Sequence, residues 1–183
     1  MPYGSLRDFI ARLEAEDRLV RVSAPVSPVL EMTEIQTRLL AENGPAVLFE
    51  NVVHEDGTRY EMPVLVNLFG TVERVAWGMD RLPEQLREVG ETLAFLRQPE
   101  PPGGWREAMG MLPLLKTVMA MKPRSTGSAP CQEVVLQGDE IDLARLPIQT
   151  CWPGEPAPLI TWPLVVTQGP NPKGGRSDNF NLG

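Results

Sequence analysis

The stretch PAVLFENVVHEDGTRYEMPVLVNLF, residues 45–69, decides how the chain begins to fold. Two apolar, β-rich runs, 45–53 and 62–69, flank the polar octet HEDGTRYE. Its Asp56-Gly57 pair signals a hairpin, because a tight turn between strands needs positive φ and glycine adopts it without steric cost. Upstream, Ser5 with Asp8 three residues on reads as a capped helix start, and Phe9, Ile10 and Leu13 form one apolar face. Leu19 to Val22 alternates as a strand, and a second helix runs through Met32, Ile35 and Leu39 to Gly44 as its C-terminal cap. Downstream, TVERVAWGM (71–79) predicts a short helix capped by Thr71. PEQLREVGETLAFLRQ (83–98) predicts a longer one, opened by Pro83 and carrying Leu86, Val89, Leu93 and Leu96. Helix, strand, helix, hairpin and helices in that order predict an α/β layer with helices over a small sheet.

After residue 98 the composition shifts. PEPPGGW (99–105) cannot hold regular structure, PLLKTVMAM (113–121) reads as helical, and KPRSTGSAP (122–130) is a second linker. From Cys131 the pattern is one of strands and turns, in CQEVVLQGDEIDLARLPIQT (131–150) and APLITWPLVVTQGP (157–170). The fold class is therefore α+β: an α/β domain over 1–98, a linker with short helices over 99–130, and the start of a β domain over 131–183.

A 183-residue chain with 42% hydrophobic residues is long enough to bury a core without disulfides or a structural metal. Its net charge of −7 argues against nucleic acid and against an anionic membrane surface, both of which need clustered Lys and Arg. No 18-residue apolar window and no basic-then-apolar N-terminus occur, so neither a membrane span nor a signal peptide is expected. Cys131 and Cys151 lack CxxC spacing and read as free thiols of a cytoplasmic protein. One histidine, His54, sits in a polar turn, so neither a His/Cys zinc site nor a Ser-His-Asp triad can be assembled with conviction.

Other chemistry-bearing residues read blandly by themselves. Asp139, Glu140 and Asp142 make an acidic cluster better taken as a solvated turn than as a metal site. Gly174-Gly175 lacks phosphate-loop spacing. Trp152 and Trp162 flank a Pro/Gly-rich loop, either as packing aromatics or as a stacking wall.

Seven stretches taken together resemble the UbiD family of decarboxylases: 5–14, 44–52, 62–79, 86–102, 129–153, 158–170 and the final NLG, 181–183. LPIQTCWPGEPAPLITW (146–162) is especially similar to the ubiquinone-pathway branch. That resemblance implies non-oxidative decarboxylation of 4-hydroxy-3-polyprenylbenzoate, with prenylated FMN as cofactor and a divalent ion, Mn²⁺ with K⁺ as a second candidate. It implies Asn181 as a metal ligand, an amide oxygen suiting a hard cation, and Thr161 as part of the flavin pocket. Asn179 shares the strand face of Asn181 but not the motif register, and the loop 171–180 looks longer than in close relatives.

The same resemblance implies that residues 131–183 hold the first strands of a flavin-reductase-like split β-barrel, incomplete here. The catalytic residues are then expected beyond Gly183, so the chain reads as an N-terminal fragment, inactive alone. Implied partners are a small aromatic acid, a flavin prenyltransferase that supplies the cofactor, and further copies of the chain in the full-length oligomer. A prenylated substrate is compatible with peripheral membrane association. Strands near Val134 and Leu164 are expected to leave apolar edges that favour self-association. Two rival readings are a UbiD-like enzyme for another aromatic acid and a non-catalytic assembly module that keeps the N-terminal domain.

Overall fold

A computed structural model describes residues 3–98, 104–110, 119, 127–161, 163–170 and 176–182. They fall into two compact units, Met1–Val75 with Leu143–Gly183, and Ala76–Asp142. Among the described residues, no helix is long and apolar enough to cross a membrane.

The first unit is built on a three-stranded sheet of order β1-β2-β3, comprising Leu19–Val22, Ala46–Phe49 and Val64–Val66. Helix α1 (Leu6–Ala15) precedes β1, and α2 (Glu31–Ala41) is the crossover that lets β1 and β2 run parallel, pairing Leu19 with Ala46 and Val22 with Phe49. β3 returns antiparallel, Val47 opposite Val66. The expected hairpin turn is present: Gly57 takes φ 83°, its N–H donates to the His54 carbonyl, and Tyr60 N–H donates to Val52 O. All four residues of β2 are buried, as a central strand covered on both faces requires. Val47 and Phe49 meet Val26, Met32, Val52 and Val66 in one core cluster, with Ile35 and Leu39 of α2 packed against it. Phe9 and Leu13 of α1 are buried outside that cluster, and Phe9 stacks on Phe69 at 6.0 Å.

Three helices end in the same way, and glycine is not how they do it. After α1, Asp17 (φ 54°) donates to Glu14 O and Arg18 donates to Leu13 O at 2.7 Å. After α2, Asn43 (φ 53°) donates to Leu40 O and Gly44 to Leu39 O at 2.7 Å. After α3 (Val72–Gly78), Asp80 (φ 57°) donates to Trp77 O and Arg81 to Ala76 O. Each is a Schellman motif with Asp or Asn in the left-handed position. The short polar side chain makes that conformation tolerable. Gly44 is thus one residue past the cap, where crowding selects it: a Cβ there would lie 2.9 Å from Leu39 Cδ2 and 3.2 Å from its carbonyl oxygen.

The start of β2 and the end of β3 are fastened by Arg74, a buried residue on α3. Its guanidinium donates to Gly44 O, Asn67 O and Leu68 O at 3.0, 3.0 and 3.1 Å. Asn67, also buried and left-handed at φ 54°, donates its amide to Gly44 O and Pro45 O. Burial holds the Arg74 guanidinium below its ordinary pKa, and the nearby Arg18 adds to that while Glu73 opposes it. Gly70 leaves the room: a Cβ there would sit 1.9 Å from Asn67 Oδ1 and 2.8 Å from Arg74 Nη2. Thr71 caps α3 as expected, accepting from Arg74 N–H.

In the second unit, a 3₁₀ turn (Pro83–Gln85) opens α4 (Leu86–Arg97), and α5 spans Trp105–Gly110. Leu86, Val89, Phe95 and Leu96 are half-buried, whereas Leu93, assigned to that face from the sequence, is exposed. Residues 131–150 correct the expectation of strands. They form 3₁₀ turns at Pro130–Gln132, Gly138–Glu140 and Leu143–Arg145, and β-bridges only at Gln149 and Thr150. Val134, Val135 and Leu136 are consecutive apolar residues without alternation, and Gly138 at φ 55° turns the chain immediately after them. Val134 is 78% and Leu164 85% exposed. In the first unit, to which residues 143–183 belong, β4 (Val166–Pro170) and β5 (Arg176–Leu182) form an antiparallel ribbon with a register irregularity between Gln168 and Pro170. The helix expected over 113–121 lies, apart from Met119, outside the described residues.

Two outcomes are expected in urea denaturation. Asn43→Val loses about 1–2 kcal/mol, the cost of a β-branched residue in the left-handed region, while Asn43→Gly loses nothing. Arg74→Met loses roughly 3 kcal/mol or more, because charged hydrogen bonds to three carbonyls vanish together; Arg74→Lys recovers only part of it, lacking the planar fork.

Candidate functional site

Beside the free edge of β3 lies a groove of about 400 Å³. Residues 62–67 form one wall, residues 146–149 the other, and Leu159, Ile160 and Thr161 the rim, with Gln36 reaching in from α2. The wall opposite β3 is a strap crossing from Leu146 to Cys151, whose Pro147 and Cys151 are buried. The rim is tied to it by Leu159 N–H donating to Gln149 O at 2.8 Å. Between strap and rim the chain loops through Trp152, and Glu155 closes that loop by accepting from Cys151 and Trp152 N–H at 2.6 and 3.1 Å.

The groove's polar side chains are Gln36, Asn67, Gln149 and Thr161, and among the described residues no ionisable side chain lines it. Such a site can hold an uncharged, partly apolar surface and orient it through amide and hydroxyl groups. Among the described residues it presents no cation to meet a phosphate or carboxylate, and no group that titrates to move a proton.

Of the sequence-derived site residues, Thr161 lies on this rim and is exposed. Asn181 stands on β5 with its backbone opposite Thr167 of β4, so both residues belong to the segment that runs from the groove's rim into the ribbon. Trp152 is exposed on its loop, which excludes it from the core; Trp162 and Gly174-Gly175 lie outside the described residues. Asp139, Glu140 and Asp142 are exposed around a 3₁₀ turn, where Glu140 accepts from Gln137 N–H at 3.4 Å. His54 stacks on Tyr60 at 3.6 Å between ring centres, a turn-closing contact. Among the described residues no three His, Cys, Asp or Glu side chains converge on a point where a metal could sit.

The prenylated flavin and divalent ion implied by the resemblance are therefore not matched by these residues alone. A phosphate is held best by cationic donors and a hard cation by several converging carboxylate or carbonyl oxygens; among the described residues the groove's side chains offer only the amides of Gln36, Asn67 and Gln149 and the Thr161 hydroxyl. Sequence reading missed Asn67, which lines the groove, and Arg74, whose guanidinium donates to the Asn67 carbonyl. The signal available was Asn67 three residues before Gly70, and an arginine on the apolar-rich turn VERVAW, beside Glu73.

Comparison with known proteins covers most of the chain. Residues 10–93 match the 3-octaprenyl-4-hydroxybenzoate carboxy-lyase N-terminal domain, and residues 122–183 match the Rift-related domain of the same carboxy-lyase. Among solved structures, an evolved dimeric form of the UbiD-class enzyme HmfF from Pelotomaculum thermopropionicum, in complex with prFMN, is 27% identical. It aligns over 98% of this chain and 35% of that one, with a TM-score of 0.63. HmfF from the same organism in complex with FMN is also 27% identical, aligning over 97% of this chain and 33% of that one at a TM-score of 0.61. The chain thus spans about a third of the length of the structures it matches. With both domains of one family matched in order, and its fold shared with a UbiD-class enzyme over nearly its whole length, this chain belongs to the UbiD family.

Proposed function

We propose that the chain is the N-terminal part of a prenylated-FMN-dependent carboxy-lyase acting on an aromatic acid of the 4-hydroxy-3-polyprenylbenzoate type. The observation that carries this reading is the ordered match of two domains, both described by that carboxy-lyase activity. The likeness to a prFMN complex over 98% of the chain supports the cofactor. The ubiquinone-pathway substrate rests on the stretch 146–162.

In this reading Thr161 contributes a hydroxyl to the flavin pocket and Asn181 an amide oxygen to Mn²⁺. Residues 131–183 are the opening of the split barrel, after an N-terminal domain over 1–98 and a linker over 99–130. Among the described residues the groove offers positioning groups and no ionisable side chain, so in this reading proton return to the product falls to side chains elsewhere. A flavin prenyltransferase supplies the cofactor, and the whole protein assembles from several copies in the cytoplasm. The uncharged groove is consistent with a largely apolar substrate and supplies no counter-charge for a carboxylate.

The test is to produce the whole protein together with a flavin prenyltransferase and to follow CO₂ release from a panel of aromatic acids. Release from the polyprenylated 4-hydroxybenzoate is the expected result. Release only from another member replaces the substrate and keeps the enzyme class, and release from none overturns the reading. In the same protein, Asn181→Ala is expected to weaken Mn²⁺ retention by roughly tenfold or more, measured by elemental analysis after dialysis. Thr161→Val is expected to lower flavin occupancy, read from absorbance.

A further inference from the structure

Five non-glycine residues among the described ones take positive φ, and four of them are Asp or Asn. The fifth is Leu30, at φ 63° and ψ −37°. Glu31 N–H closes onto Val29 O at 2.7 Å, two residues back, so Leu30 is the centre of a γ-turn of the rare, strained hand. Leucine brings no side-chain hydrogen bond to relieve it. Something outside the turn must hold it.

That holder is the strap. Leu30 N–H donates to Thr150 O at 2.9 Å, and Thr150 N–H donates to Pro28 O at 3.2 Å, making Val29 and Thr150 a parallel bridge. One residue earlier, Gln149 Nε2 contacts Met32 Sδ at 3.6 Å. These ties join residues 28–32 to a segment far downstream in sequence, and no full strand reinforces them: the bridge is isolated. The strap they anchor is the groove's second wall. Cys151, buried, marks its far end.

We propose that residues 146–151 form a releasable latch. Engaged, the strap holds Leu30 in its strained turn and closes the groove against β3. Released, the turn relaxes to an ordinary backbone conformation, the groove loses one wall, and Cys151 is uncovered. The strain lowers the cost of release, so the groove opens by local motion without unfolding the sheet. The inference rests on the turn and the bridge and is independent of what the groove binds.

The experiment uses the full 183-residue chain carrying Cys131→Ser, so that Cys151 is the only thiol, labelled under native conditions with a small disulfide reagent. Leu30→Gly removes the conflict at positive φ, and labelling of Cys151 is expected to slow about tenfold. Amide exchange provides a second reading in the unsubstituted chain: Leu30 and Thr150 N–H, each in a latch hydrogen bond, should exchange at matching opening free energies and well before β2. Labelling at the same rate in Leu30→Gly overturns the proposal. So does exchange of Leu30 and Thr150 only with global unfolding measured in urea, which also separates a latch from a variant that has merely changed overall stability.

Discussion

One buried guanidinium decides the geometry of the N-terminal unit. Parallel strands β1 and β2 need a long crossover, and β3 must come back beside β2 without a continuous hairpin ladder, so the sheet's strand ends would be loose. Arg74 gathers them by giving planar, fork-shaped donors to the chain just before β2 and just after β3. A neutral side chain of the same size would leave polar carbonyls in an apolar setting, a burial penalty that the charged hydrogen bonds offset. The absence of a side chain at Gly70 is part of the same arrangement, since any Cβ would occupy the space of Asn67.

The N-terminal half was legible in its sequence because local signals and tertiary outcome agree there. The turn at Asp56-Gly57, the strand over 19–22, the Thr71 cap and the apolar faces of α1 and α2 all sit where pattern places them, although β1 does not alternate: Val20 and Arg21 are both exposed, and Leu19 and Val22 half-buried. Asp8 also acts as its position suggests, accepting from Gly4 and Ser5 N–H at 2.8 and 2.9 Å. Legibility fails where the deciding factor is not local. Glycine was assigned the helix end after α2 by propensity, but Asn43 occupies it and Gly44 answers to crowding by Leu39. Val134 to Leu136 are strand formers by composition, yet β structure needs a neighbour as well as a propensity, and here they lie exposed. Nothing in an arginine's letter says that it will be buried; only the three carbonyls around Arg74 do.

The candidate site divides in the same way. Composition argued against nucleic acid and a His/Cys metal centre, and family likeness supplied Thr161 and Asn181 as expectations. The groove itself could not be read, because its walls come from residues 62–67 and 146–149, distant in sequence, the second of them tied to residues 28–30 through the Val29–Thr150 bridge. Its uncharged lining places a limit on chemistry: in such a surface a ligand is oriented by shape and a few amides, and any charge it carries must be answered elsewhere.

The cap at Asn43 has a consequence for the chemical ageing of the protein. Asn-Gly is the dipeptide most prone to deamidation in a flexible chain, because the following backbone nitrogen can swing onto the side-chain carbonyl and cyclise. In the Schellman turn that nitrogen is committed: Gly44 N–H is held on Leu39 O at 2.7 Å, and Asn43 is fixed at φ 53°. Folding therefore shields the bond, and the rate at which Asn43 converts to aspartate or isoaspartate becomes a slow clock of how often the end of α2 frays.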